Sequence, residues 1–274
     1  MTARPRLRFL GTVVESARQT TLRLCRQRLW WIVLGSIFAL VAVGWLLGMR
    51  LGERTNGQSL FCILAWWLHG TVLVPWFALY VGVQAVHGSL EDRTALYLFL
   101  RPVGRVPLLL GNWLAVSILS ASVAVLGTLA LFVGLAANPE VWTDGVHGHV
   151  AWVFAGSLAL GAVAYAAAAV FFSAAVRRPL VWAAFFVVGL QQLTANLPVS
   201  AGLRQFTITD PLRRLVLDGI EPDARLADLL WPAETFQPEK IGTPIVDLAW
   251  LVGVTLVLAC WFYRRTEYDA RPRD

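Results

Sequence analysis

Six long stretches of the chain contain no Asp, Glu, Lys or Arg: residues 29–49, 55–90, 106–139, 145–176, 179–203 and 248–263, together 164 of the 274 residues. A water-soluble domain, with about a quarter of its residues charged, does not spare charge over such distances. Here only 15% of residues are charged, 57% are hydrophobic, and the mean hydropathy is +0.62. A bilayer core about 30 Å thick takes about 20 apolar helical residues per crossing. Five of the runs are long enough alone, and the sixth becomes so when 244–247 is added. The second run is counted once, because two crossings and a turn need roughly 40 apolar residues.

The spans read as helices rather than barrel strands, since stretches such as 123–135 and 163–172 are apolar on every face instead of alternating. The expected fold is an all-α integral membrane protein, a single membrane domain over 1–274 with six transmembrane helices. These lie at about 30–48, 60–86, 107–135, 151–176, 179–198 and 245–263. Trp30, Trp31, Trp45, Trp142, Trp152, Trp182, Trp250 and Trp261 fall near those boundaries, where amphipathic rings favour the headgroup layer. The first apolar run lacks a small-residue cleavage site and reads as an uncleaved signal anchor. Cys25, Cys62 and Cys260 stand alone, without the spacing of a disulfide framework or a zinc site.

Orientation follows from the arginines. With a cytoplasmic N-terminus, the inside segments hold 16 basic and 6 acidic residues, and the outside segments hold 7 basic and 11 acidic ones. The positive-inside rule therefore expects both termini in the cytoplasm of a cell, integral to a plasma or bacterial inner membrane. The net charge of +6 is then a matter of topology, and no nucleic-acid partner is expected.

Residues 1–29 read as an amphipathic interfacial helix. Leu7, Leu10, Val14, Ala17, Thr21 and Leu24 form one stripe, and the arginines lie largely elsewhere, toward anionic membrane lipids. The long outer segment 200–243 contains two short helical patterns. Asp210 and Pro211 form a cap and first-turn pair before Leu212, with Gly219 at the end, and 224–231 repeats the idea. Either these pieces rest on the outer interface or cover an exit path, or they are simple loop packing.

Enzyme chemistry finds no foothold. No G-x-S-x-G or H-E-x-x-H is present, and Lys240, the one lysine, does not follow a glycine as a P-loop requires. The spans show no intramembrane charge of the kind that marks ion relays. His69 reads as an interhelical hydrogen-bonding residue. His147 and His149 near Asp144 fall short of a metal site, so no metal and no cofactor of the chain's own is expected. Gln84, Gln191, Gln192 and Asn196 are the polar exceptions in spans two and five. They either line a substrate path or bond neighbouring helices. Small residues around Ser157, Gly161 and Tyr165 in span four read as a helix-packing surface.

The most informative segment follows span two. Ser89 and Asp92 make a capping-box pattern, Glu91 and Asp92 complement a positive helix start, and Arg101 suits its end before Pro102. A short cytoplasmic helix of roughly three turns is specified between spans two and three. It carries an aromatic and leucine face and serves no span, as a docking element for another protein would.

This stretch resembles that of the ABC-2 type permeases, the membrane subunits of a class of ABC exporters. In that family the loop after span two runs E-x-x-x-G-T-L-x-x-L-L-x-x-P-V-S-R, with L-L-G-K entering span three. Glu91, Thr94, Leu96, Leu100, Pro102, Val103, Arg105, Leu109, Leu110 and Gly111 stand in comparable places, while Arg93, Gly104 and Asn112 depart from the pattern. The tail from Phe262 to Glu267 is also similar. The resemblance implies the permease subunit of an ATP-driven exporter, not itself an ATPase. It implies an ATP-binding cassette subunit that binds ATP and Mg²⁺ as the partner, and a second permease subunit, identical or different. Glu91, Asp92, Thr94, Leu96, Leu100, Arg101, Pro102 and Arg105 would then couple the two proteins, with Pro75 a compliant point in span two. The alternatives are a transporter or channel that needs no ATPase, or an accessory membrane protein.

Overall fold

A computed structural model describes residues 5–26, 29–51, 57–91, 104–138, 148–193, 207–220 and 242–265. Every regular element among them is helical. In chain order these are α1 (Pro5–Arg26), α2 (Leu29–Leu51), α3 (57–91), α4 (Arg105–Ala136), α5 (Gly148–Ala175), α6 (179–193), α7 (Thr209–Ile220) and α8 (Gly242–Arg265). Among the described residues, five helices are long and apolar enough to cross a membrane: Trp31–Arg50, Gly57–Val86, Arg105–Ala136, Gly148–Ala175 and Thr243–Arg265. They coincide with the expected spans one to four and six to within a few residues. The fifth expected span, 179–198, is helical over 179–193, shorter than a crossing, and its last residues lie outside the described ones.

The central element is α5, which packs against α3, α4, α6, α7 and α8. Lipid tails are as apolar as leucine, so helices in a bilayer associate through close backbone approach rather than hydrophobic expulsion. α5 is built for that, with Ser157, Gly161, Ala162, Ala166 and Ala169 buried. A Cβ on Gly161 would lie 2.5 Å from Leu212 Cδ1 of α7, and one on Gly82 of α3 would collide with Ala169. The stripe of small residues is thus a packing surface on two sides. α2 meets α4 in the same way: a Cβ on Gly44 would come within 3.0 Å of the Leu131 carbonyl.

His69 Nε2 donates to the Ala124 carbonyl at 2.9 Å, and Thr128 Oγ1 donates to the same oxygen at 2.8 Å. The expected interhelical hydrogen bond is therefore present, with the imidazole pressed against Gly127. It falls in a π-helical stretch, Leu64–Leu73, where the Val74 amide reaches back to the His69 carbonyl. Pro75 follows at once. Proline offers no N–H to the preceding turn, so the ladder is already broken where the π stretch hands over to the α-helix.

Large apolar side chains face outward, among them Trp31, Phe38, Trp250 and Val257, each more than two-thirds exposed. Such surface is unsuited to water and suited to acyl chains. Trp45, Trp152, Trp182 and Trp261 are also exposed toward helix ends, as an aromatic belt requires.

Candidate functional site at the helix bases and at mid-depth

One end of the bundle gathers the end of α3 and the start of α4, which flank residues 92–103. α1 runs alongside the first half of α4 and reaches α3 through Arg23. Ser16 Oγ donates to the Leu108 carbonyl at 3.3 Å, and Thr20 Oγ1 donates to Asn112 Oδ1 at 2.7 Å. The Arg23 guanidinium donates to the carbonyls of Gln84 and Ala85 at 3.3 and 2.7 Å. A Cβ on Gly111 would lie 2.5 Å from Ser16 Cβ, so α1 sits backbone to backbone on α4. The expected apolar stripe of α1 is divided: Ala17 and Leu24 are buried in this contact, whereas Leu10 and Val14 remain more than half exposed. Short hydroxyl side chains complete the packed face, because they bond to α4 where longer apolar ones would hold the helices apart.

Of the residues expected to couple to a partner, Glu91 is the last of α3 and Arg105 the first of α4. Arg105 Nη1 donates to the Arg264 carbonyl at 3.5 Å, which joins the start of α4 to the end of α8. Asp92, Thr94, Leu96, Leu100, Arg101 and Pro102 lie outside the described residues.

The second region lies deep in the bundle. α7 runs antiparallel to α5, with Thr209 beside Tyr165, Leu212 on Gly161 and Gly219 against Val153. At 1.5 Å per residue, Tyr165 stands about 26 Å from the first residue of α5 and about 15 Å from its last. The N-terminus of α7 is therefore sunk to mid-depth instead of resting at the end of the bundle. Gln191 of α6 meets it there. Its Oε1 accepts from the Ile208 amide at 2.8 Å and from the amide and hydroxyl of Thr209, both at 3.3 Å. Thr207 Oγ1 accepts from the Asp210 amide. The donors that a helix start leaves free in an apolar setting are thus capped by side chains.

This placement brings charge to a depth where the apolar runs show none. Asp210 and Arg213 are both 4% exposed. Asp210 pairs with Arg214 at 2.7 Å, one turn along the same helix, and sits at the positive helix start. The Arg213 guanidinium lies 5.4 Å from the ring centre of Trp66, a cation–π contact with α3. These charges carry signals in the sequence, the Asp210–Arg214 spacing and the Asp-Pro cap, but the segment reads there as external.

Gln84 and Gln191 share no hydrogen-bond partner among the described residues: the Gln84 carbonyl serves Arg23 at the base, and Gln191 holds α7. Gln192 is in α6, its side chain outside the description, and Asn196 lies beyond the described residues. Among the described residues no three of His, Cys, Asp and Glu come together as a metal site.

A bundle of helices, five of them of span length among the described residues, with large apolar side chains on its outer surface supports an integral membrane protein. No protein-family model matches the chain. It is 28% identical, over 86% of its own length and 92% of the relative's, to the probable ABC transporter permease protein NosY of Pseudomonas aeruginosa. That likeness, running nearly end to end, supports an ABC transporter permease.

Proposed function

We propose that the chain is the transmembrane permease subunit of an ATP-driven exporter of the ABC-2 type. In this reading a separate ATP-binding subunit hydrolyses ATP with Mg²⁺, and a second permease subunit, identical or different, completes the pore. Both termini face the cytoplasm of a plasma or bacterial inner membrane, α6 with the residues after it makes the sixth crossing, and α1 lies at the cytoplasmic headgroups.

The observation that carries the reading is the joining of α3 and α4 at their bases by α1, through Arg23, Ser16 and Thr20. The helices that flank residues 92–103 are thereby tied to one lever, so a push on that loop moves both. Glu91, Asp92, Thr94, Leu96, Leu100, Arg101, Pro102 and Arg105 form the contact with the ATP-binding subunit. Gln84, Gln191, Gln192 and Asn196 supply amide groups to a path otherwise apolar, which suits lipidic or amphipathic cargo.

The experiment is charge reversal at Glu91 and Asp92 together. The expected result is a subunit that inserts and dimerises normally, with a loss of partner binding or of substrate-stimulated ATP hydrolysis in the reconstituted complex. Wild-type pull-down of the ATP-binding subunit and wild-type hydrolysis in the double variant would remove the coupling assignment.

A further inference from the structure

An apolar pocket opens between α1, α2, α3 and α4. Its walls are Leu24 and Cys25, Val33, Phe77 and Val81, and the α4 stretch 119–126. It is a half-open cavity of about 70 Å³, and its lining exposes no polar surface. Leu126, about half exposed, stands on its rim, so the pocket is open along one side.

We propose that this pocket is a binding site for one acyl chain of an anionic phospholipid from the surrounding bilayer. The proposal needs only that the chain spans a membrane and stands apart from the exporter reading. Three observations select the occupant. Polar groups that orient a soluble ligand in its pocket are not presented by these walls, the Ser122 hydroxyl being turned to the Ile118 carbonyl, so what binds is recognised by apolar contact. Seven of the nine wall residues are Leu, Val or Phe, the others being Cys25 and Ser122, whereas helix partners in a bilayer meet mainly through small residues, as α2 and α4 do at Gly44 and Gly134. A flexible hydrocarbon chain suits the gap better than another helix. Between Leu119 and Leu126 the pocket follows α4 for about 10 Å, an elongated shape matched to a chain.

Charge selects the headgroup. Arg26, exposed on α1, is the neighbour in sequence of the wall residue Cys25. Arg23, one turn earlier, is committed to the Gln84 and Ala85 carbonyls. Arg26, in the last turn of α1 and next in sequence to the wall residue Cys25, is in this proposal the group that takes the lipid phosphate while the tail lies inward. Basic side chains at a membrane surface attract anionic lipids in this way.

The test uses the full chain, with any natural partner retained, in lipid nanodiscs. The discs carry photoactivatable phosphatidylglycerol or phosphatidylcholine with the reactive group in the acyl chain. Labelled peptides are mapped by mass spectrometry. With phosphatidylglycerol, labelling of 77–81 and 119–126 is expected to exceed that of the exposed α8 face at Val254, Val257 and Leu258 at least threefold, and phosphatidylcholine is expected to label the pocket less. Val123→Trp, which fills the pocket, should reduce its labelling to the α8 level, and Leu126→Trp on the exposed rim provides a second block should the first not fold. Arg26→Gln should erase the preference between the two lipids. Pocket labelling equal to that of α8, equal labelling by both lipids in the wild type, or labelling unmoved by a folded tryptophan variant overturns the proposal. So does disulfide formation between copies of a Ser122→Cys variant with the pocket shielded from lipid, which would assign the site to a second subunit.

Discussion

The guanidinium of Arg23 donates to the carbonyl of Ala85 at 2.7 Å, so a residue near the end of the first helix holds a backbone atom near the base of α3. A hydrogen bond with a charged donor contributes about 1.5–3 kcal/mol, and Arg23 makes a second one to Gln84. Because Arg23 is only partly buried, Arg23→Ala is expected to lower unfolding stability by about 1.5 kcal/mol, the low end of that range. It should also loosen α1, measured as slower disulfide closure between cysteines placed at Ser16 and Leu108. Unchanged closure would show that Ser16, Thr20 and the Gly111 contact hold α1 without it.

Gln191 caps the start of α7. Gln191→Leu leaves the amides of Ile208 and Thr209 without this acceptor in an apolar interior, at a cost of about 1–3 kcal/mol. The expected outcome is a lower melting temperature of the purified subunit and faster thiol labelling of a Thr209→Cys reporter. A Gln191→Leu protein with an unaltered melt and reporter would mean that other groups satisfy those amides.

Asp210 and Arg214 form a pair in which Asp210 is 4% exposed. Removing one partner of a buried pair strands the other and costs about 3–5 kcal/mol, while removing both is far milder. Asp210→Ala should therefore reduce the yield of folded protein more than the double change Asp210→Ala with Arg214→Ala. The readout is monodisperse yield and thermal unfolding, and a double variant worse than the single one would contradict the pairing.

Gly161 gives Leu212 its seat. Gly161→Val drives a side chain into Leu212, and overpacking of this kind costs about 1–3 kcal/mol. Leu212→Ala in the same chain is expected to restore part of the loss. A double-mutant cycle on unfolding stability should return a coupling of at least about 0.5 kcal/mol, and additivity would place the two residues out of contact.

How far the sequence carried these conclusions depended on whether the property concerned was local. Helical crossings are sums over consecutive residues, so the expected 107–135 falls inside the observed Arg105–Ala136. The packing role of Gly161 was also readable, because a small residue among small residues has few other uses in a bilayer. The depth of α7 was not. A count of charges treats Asp210, Arg213 and Arg214 as three costs, whereas in the fold one pair neutralises itself across a helical turn and the third charge lies on Trp66. The first is a spacing of four within one helix, but the second joins residues almost 150 positions apart and becomes visible only once α3 and α7 are neighbours. The stripe on α1 was split for a related reason: periodicity reports which residues share a face, not whether that face meets lipid or another helix.

The π-helical stretch of α3 has a geometric consequence for the helix beyond it. A π turn takes up more residues than an α turn, so if Leu64–Leu73 changed pitch, Val74–Glu91 would swivel about its own axis relative to Gly57–Ile63. The azimuth at which the Ala85 carbonyl presents itself to Arg23 is therefore set by the winding of ten residues more than two turns away. A single-residue deletion within that stretch would act as a twist, re-aiming everything downstream by about 100° without shortening the span by more than a fraction of its height.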